Sequence, residues 1–209
     1  MLGIDFHQHQ IQAFFDIPVD HLYAAPVLTT YFRDKQIEDL VVVAPDVGSA
    51  KMARGFAKRL GADLAIVDKR RPNPNVAEVL NVVGDVSGRP CILADDMVDT
   101  GGTLASAVRA LKDRGATAVY ACATHAVLSG AAKQKLSEAP LEELVVTNTI
   151  HIPEERRFPA LKILSVAELL SSAIRYIHEN ESVSQLFAAD PRASAGAPDP
   201  AVIHINKVS

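Results

Sequence analysis

The residues best placed to do chemistry lie in one run, Cys91-Ile92-Leu93-Ala94-Asp95-Asp96-Met97-Val98-Asp99-Thr100-Gly101-Gly102-Thr103-Leu104. An apolar strand ends in two acids, a short loop follows, and Thr-Gly-Gly-Thr opens a helix. In a parallel sheet that order puts the acids and the loop at the carboxyl end of the strand, where such folds bind ligands. Gly101 and Gly102 can adopt backbone angles that turn several N–H groups inward as an anion nest. A helix starting near Thr103 adds N–H groups and a positive dipole end, and the hydroxyls of Thr100 and Thr103 supply further donors. That set suits a phosphate monoester. Asp95 and Asp96 then need another target, because carboxylates repel phosphate at short range. A vicinal diol fits, donating two hydrogen bonds to a group that accepts them. Phosphate cradle plus diol acceptor reads as a site for a ribose 5-phosphate moiety. The plainer alternative has Asp99 or Thr100 capping a helix and the acids as a solvated strand end; it suits a lone Asp-Thr-Gly better than the full string.

A second chemical segment is Lys69-Arg70-Arg71, after the apolar run Leu64-Ala65-Ile66-Val67 and before Pro72-Asn73-Pro74-Asn75. Taken alone it is a solvated basic turn. Ahead of a loop able to fold over a ligand, the same cations could neutralise phosphates.

These segments need a scaffold, and the chain supplies one by alternation. Leu40–Ala44 is β-branched and uncharged, as expected of a strand covered on both faces. Ala53, Phe56, Ala57 and Leu60 then form one apolar helical stripe. Further strands are expected at Leu64–Val67, Val79–Val83, Cys91–Ala94, Ala118–Ala123 and Leu144–Thr147. Another helix carries Leu104, Ala107, Val108 and Leu111 on one face. A last helix, Val166–His178, should share a face among Val166, Leu169, Leu170, Ala173, Ile174 and Ile177. The pattern predicts an α/β protein with a parallel sheet flanked by helices. The first ~35 residues hold an aromatic, proline-punctuated stretch, Phe14 to Asp20, that must pack against something. After Phe187 the sequence is small, Pro-rich and aperiodic, and reads as a disordered tail over 188–209.

Composition narrows the classes. The chain has 209 residues, 48% hydrophobic and 22% charged, enough apolar material for a core. Lys plus Arg number 21 against 25 acids, net −4, which argues against a nucleic-acid binder. Cys91 and Cys122 make no metal-ligand spacing and read as buried thiols of a reducing compartment. No basic and apolar leader opens the sequence, and no stretch reaches the ~18 apolar residues of a membrane span. The expectation is a soluble cytoplasmic protein that binds no membrane.

The string Asp95–Thr103 resembles the ribose-phosphate loop of the type I phosphoribosyltransferase superfamily, and its wording is closest to the ribose-phosphate diphosphokinase (phosphoribosyl diphosphate synthetase) branch. Three more segments resemble that branch in order: Asp5–Asp20, around a metal-associated histidine; Val41–Gly48, a second metal-associated segment; and Leu64–Arg71, the start of a catalytic flexible loop. The resemblance runs from about Ile4 to Phe187. It implies a transferase, a kinase of nucleotide biosynthesis, that moves the diphosphoryl group of ATP, with Mg²⁺, to the anomeric hydroxyl of ribose 5-phosphate. It further implies homo-oligomers, homohexamers in the family. By resemblance Lys69 stabilises the transferring phosphoryl group and Arg71 clamps a phosphate. His7 and Asp46 stand near Mg²⁺ and the ATP phosphates. Asp95, Asp96, Asp99, Thr100, Gly101, Gly102 and Thr103 hold ribose 5-phosphate. Asp46 is the natural oxygen ligand, while His7 could instead contact nucleotide phosphate or a metal-bound water. His9 has no counterpart and reads as a surface residue.

Ala13 and Ser49 stand where the family has glycine; Ser49 could donate to a phosphate. The match begins late in the family's first domain. The implied organisation is a remnant of that domain over 1–35, a phosphoribosyltransferase-like domain with its C-terminal helix over 36–187, and the tail. Such a chain keeps the ribose-phosphate site but loses much of the ATP site, and Phe14, Phe15 and Ile17 lack some packing partners, which favours association. Two alternatives are a non-catalytic ribose-phosphate-binding regulatory subunit and a phosphoribosyltransferase; no hood for a nucleobase supports the latter.

Overall fold

The computed structural model describes residues 1–70 and 79–188. Two strands open the chain, β1 (Leu2–Ile4) and β2 (Asp20–Leu22), paired parallel and joined through a 3₁₀ turn at His9–Phe14. Helix α1 (Ala25–Asp34) follows, with Pro26 in its first turn, where a missing N–H and a fixed φ are no handicap. Then come β3 (Val41–Ala44), α2 (Ala50–Leu60), β4 (Asp63–Arg70), β5 (Val79–Val83), β6 (Cys91–Val98) and α3 (Gly102–Asp113). The chain continues through β7 (Val119–Ala126), α4 (Ala132–Ser137), β8 (Glu143–Thr147), β9 (Leu161–Leu164), α5 (Ala167–His178) and α6 (Gln185–Ala188).

The main sheet has the order β5-β4-β3-β6-β7-β8-β9. The expected α/β architecture, a mainly parallel sheet flanked by helices, is what these elements form. β5 alone runs antiparallel, as a hairpin partner of β4 from Ile66↔Val83 to Arg70↔Val79. The intervening segment 71–78 is too short for a parallel crossover, which needs about a dozen residues or more.

Alternation along each strand feeds two cores. Val41, Val43, Leu93, Ala121 and Leu144 pack on one face with α3 and α4; Val42, Ala44, Ile92, Cys122 and Val145 pack on the other with α1, α2 and α5. The two helical stripes expected from sequence are in place. Ala53, Phe56 and Ala57 are buried with Leu60 packed beside them, and Leu104, Ala107, Val108 and Leu111 are all buried. Both cysteines are buried and free. Helix α1, absent from the sequence reading, locks in through Val27, Leu28 and Phe32, each buried apolar side chain contributing roughly 1.5–3 kcal/mol. Helix α5 corrects its expected face. Val166, Leu169, Ala173 and Tyr176 are buried, whereas Ile174 is 59% and Ile177 42% exposed. Tyr176 takes the core position one turn after Ala173, so the buried stripe is narrower than the apolar residues suggest.

Asp5 fastens the first strand to the sheet. Its Oδ2 accepts the Ala24 N–H at 2.9 Å, just ahead of α1, and the Thr124 hydroxyl of β7 at 2.6 Å. His125, also on β7, holds the adjoining carbonyls: Nε2 lies 3.1 Å from the Ile4 oxygen and 3.0 Å from the Asp5 oxygen, while Nδ1 pairs with the Thr149 hydroxyl at 2.9 Å. Asp5 itself sits at φ 40, a left-handed conformation that Asp tolerates better than most side chains. Beyond this clasp, Phe14 is 85%, Phe15 37% and Ile17 57% exposed. No helix among the described residues is long and apolar enough to cross a membrane. Of the expected tail 188–209, Ala188 instead ends helix α6, and residues 189–209 lie outside the described residues.

Replacing Asp5 by Ala strands two partly buried donors and a side chain suited to positive φ. Equilibrium urea unfolding is expected to show a loss of about 2–4 kcal/mol for Asp5→Ala, with Asp5→Asn, which keeps an acceptor, losing less than half of that.

Candidate active site

Strand β6 outruns β3. β3 pairs with β6 only through Val43↔Leu93, while β7 stays paired with it as far as Val98. Asp95 and Asp96 therefore lie inside an extended strand and not at its end, a correction to the sequence reading whose cause is the long β7 ladder. The edge of β6 toward β3 is left open there. The winding also reverses here: the chain runs outward from β3 to β4, then returns to lay β6 on β3's other side, with α2 and α3 on opposite faces. A crevice at such a switch point is where doubly wound sheets bind ligands.

A cleft of about 710 Å³ fills the crevice, with His7, Asp46, Ser49, Asp95 and Asp96 in its wall. Asp46 follows β3. Its Oδ1 accepts the Ser49 N–H at 2.9 Å and lies 3.1 Å from Ser49 Oγ, closing a turn just before α2. Ser49 Oγ is also 2.9 Å from Asp95 Oδ1, and the Asp96 N–H donates to that same oxygen at 3.0 Å. The Ser49 hydroxyl, which by its residue type could donate to a phosphate, is thus engaged between two carboxylates. Burial pushes the Asp95 carboxyl up to about 6; the Ser49 hydrogen bond opposes the rise, and the neighbouring Asp96 and Asp46 charges add to it. Asp96 turns to His7, whose Nδ1 lies 2.7 Å from Asp96 Oδ2. That hydrogen bond, then the Asp96 charge, raises the imidazole pKa, so His7 enters the wall as a cation over a wider pH range.

The loop after β6 is built differently. Gly101, at φ 71, precedes α3, and a side-chain carbon there would stand 3.1 Å from Leu136 Cγ of α4. Glycine meets both conditions without strain. Gly102, expected to share the unusual geometry, is instead the first residue of the helix. The loop is tied down by the segment after β7: Ser129 donates its hydroxyl to Asp99 Oδ1 and its N–H to the Asp99 carbonyl, and the Val127 and Leu128 N–H groups reach the Val98 carbonyl. Lys135 of α4 stands over the helix start, its Nζ 3.8 Å from where a Gly102 side-chain carbon would be.

The structure therefore brings His7, Asp46, Asp95 and Asp96 into one cleft. It sets Asp99, Thr100, Gly101, Gly102 and Thr103 at the next station along the same strand, outside the cleft wall. Lys69 lies in β4 opposite Leu80; its side chain, Arg71 and the Pro72–Asn75 run lie outside the described residues. Ser129 and Lys135 escaped the sequence reading because they belong to a distant stretch with no motif of its own. His9, expected at the surface, is exposed and lies 3.3 Å from His21, Nδ1 to Nδ1.

Because Asp95 is held near 6 in the folded chain against 3.8 for the free group, folding disfavours its ionised form. Unfolding free energy should fall as pH rises from about 4 to about 6, with the full cost present above that range. Asp95→Asn is then expected to stabilise the chain by on the order of 1–3 kcal/mol at pH 7.5, and by nothing at pH 4. Urea melts at the two pH values check this.

Residues 69–188 match the phosphoribosyl synthetase-associated domain. Over 188 residues the chain is 55% identical to the ribose-phosphate pyrophosphokinase of Gloeobacter violaceus and 56% to that of a Nostoc species, in each case 90% of this chain and 57% of the relative. The Synechococcus elongatus protein of the same name is 58% identical over 189 residues, again 57% of its length. The chain thus spans somewhat more than half of these relatives. Among solved structures, phosphoribosylpyrophosphate synthetase from Mycobacterium smegmatis superposes with a TM-score of 0.78 at 47% identity, covering 86% of this chain and 58% of that one. With the matched region spanning more than half of its length, the chain belongs to the phosphoribosyl synthetase-associated domain family.

Proposed function

We propose that this chain carries the ribose 5-phosphate site of a ribose-phosphate pyrophosphokinase, the transferase that moves the diphosphoryl group of ATP to the anomeric hydroxyl of ribose 5-phosphate and releases AMP. The supporting observation is a strand that carries two cleft-lining carboxylates and then runs directly into a glycine turn at a helix start. A phosphorylated sugar can lie along it, hydroxyls toward the acids and anion toward the turn.

In this reading Asp95 and Asp96 accept the ribose hydroxyls. The loop from Asp99 to Thr103 takes the 5′-phosphate with the N-terminal end of α3, and the Lys135 ammonium adds charge there. Mg²⁺ suits Asp46, a hard oxygen donor whose Oδ2 has no partner among the described residues. Magnesium in such sites takes one or two carboxylates and completes its shell with waters and substrate phosphates. When bound, it supplies neutralisation of the ATP phosphates. His7, held as a donor to Asp96, fits a phosphate oxygen or a metal-bound water better than the metal itself, since imidazolium has no free lone pair. Lys69 and Arg71 stabilise the charge of the transferring group. Segment 1–35 corresponds to the end of the relatives' first domain and 36–187 to the phosphoribosyltransferase-like domain. Exposed Phe14, Phe15 and Ile17 favour association, which a homo-oligomer would satisfy; a cytoplasmic location goes with the proposed enzyme and not with any of these residues.

The test incubates the full chain with ATP, ribose 5-phosphate and Mg²⁺ and assays AMP, beside calorimetric titration with ribose 5-phosphate. AMP that depends on the sugar supports transfer; sugar binding without AMP assigns the chain a non-catalytic, regulatory role. Asp95→Ala should weaken sugar binding about tenfold or more, the worth of a charge-assisted hydrogen bond. An unchanged affinity removes Asp95 from the site.

A further inference from the structure

Ser49 stands where two differently employed carboxylates meet. Asp46 Oδ1 takes the Ser49 N–H, and Asp95 Oδ1 takes the Asp96 N–H. The Ser49 hydroxyl lies 3.1 Å from the first oxygen and 2.9 Å from the second. Both side chains are therefore turned with Oδ1 toward Ser49, and Oδ2 of each has no partner among the described residues. A serine hydroxyl has a single proton to give. It serves one carboxylate at a time, and the other then faces an oxygen lone pair.

We propose that Ser49 is a positioning residue coupling the two halves of the site, its one hydroxyl proton passing to Asp95 when Asp46 is engaged by a divalent cation. This rests on the function proposed above. With Asp46 neutralised, its Oδ1 becomes the poorer acceptor, and the hydroxyl settles on Asp95. That fixes the Asp95 carboxylate with Oδ2 free for the sugar diol and relieves its repulsion from Asp46. Cation and sugar then favour each other's binding through one rotatable O–H. Ser49 gives α2 no side-chain cap, so removing the hydroxyl leaves the helix start as it is.

The test is calorimetric titration of the full chain with ribose 5-phosphate, with and without Mg²⁺, for the natural sequence, Ser49→Ala and Ser49→Thr. In the natural sequence Mg²⁺ should tighten sugar binding by about fivefold or more, the usual lower bound for linked sites. Ser49→Ala should bring that ratio close to one, and Ser49→Thr, which keeps the hydroxyl, should restore it. An Ala variant with the natural ratio, or a Thr variant that behaves like Ala, overturns the coupling. So does a natural chain that binds the sugar equally well with and without Mg²⁺, while leaving the sugar site intact. A natural chain that binds no ribose 5-phosphate under either condition refutes the functional reading and Ser49's part in it together.

Discussion

Like charge gathered in one half-buried crevice is the condition around which this molecule is arranged. Asp46, Asp95 and Asp96 share one crevice, and burial with mutual repulsion lifts Asp95 to about 6. Left alone, such a group would draw in solvent or open the strand. Three neighbours hold it in check: Ser49 between two of the acids, His7 on the third, and the Asp96 amide on Asp95 itself. None of them fully discharges the cleft. The remaining unfavourable charge is the reason to expect a polyol and a hard cation there, ligands that gain most from carboxylates still short of partners.

Only the sheet can hold three acids so close. β3 ends early and β6 runs on, supported by β7, so the Asp95–Asp96 edge is open on one side and rigid on the other. The turn that carries Asp46 and Ser49 leaves β3 directly into α2, whose Ala53 and Phe56 are sunk in the core. The histidine comes from the opposite quarter, on the chain just after β1, and its place depends on the Asp5 clasp to α1 and β7. His7, Asp46 and Ser49 thus spring from the ends of elements, and Asp95 and Asp96 from within a strand, each fastened to buried structure.

Much of this was legible in the residues. The β-branched run Val41-Val42-Val43 and the stripes in α2 and α3 reflect burial on two faces or one, and both signals survive folding because the sheet is covered. The glycine turn and its two acids were legible as one local run of residue types, and Gly101 takes the left-handed conformation that glycine favours. What escaped notice depended on partners far along the chain. Strand length at Asp95 is set by β7, the direction of β5 by a short connection, and the orientation of α5 by Tyr176 outcompeting Ile174 and Ile177 for the core. The part played by Ser49 stayed open in the sequence because no pattern of residue types reveals that two carboxylates lie within reach of one hydroxyl. Ser129 and Lys135 carry no local motif at all.

Leu136 of α4 stands behind the Gly101 turn, so close that a side-chain carbon on the glycine would crowd it. That leucine is itself buried in the core. The room open to residue 101 is therefore bounded by a side chain that belongs to the packing of the fold. Under the proposed function, reshaping Leu136 becomes a way to alter the phosphate turn without changing any residue of the loop itself.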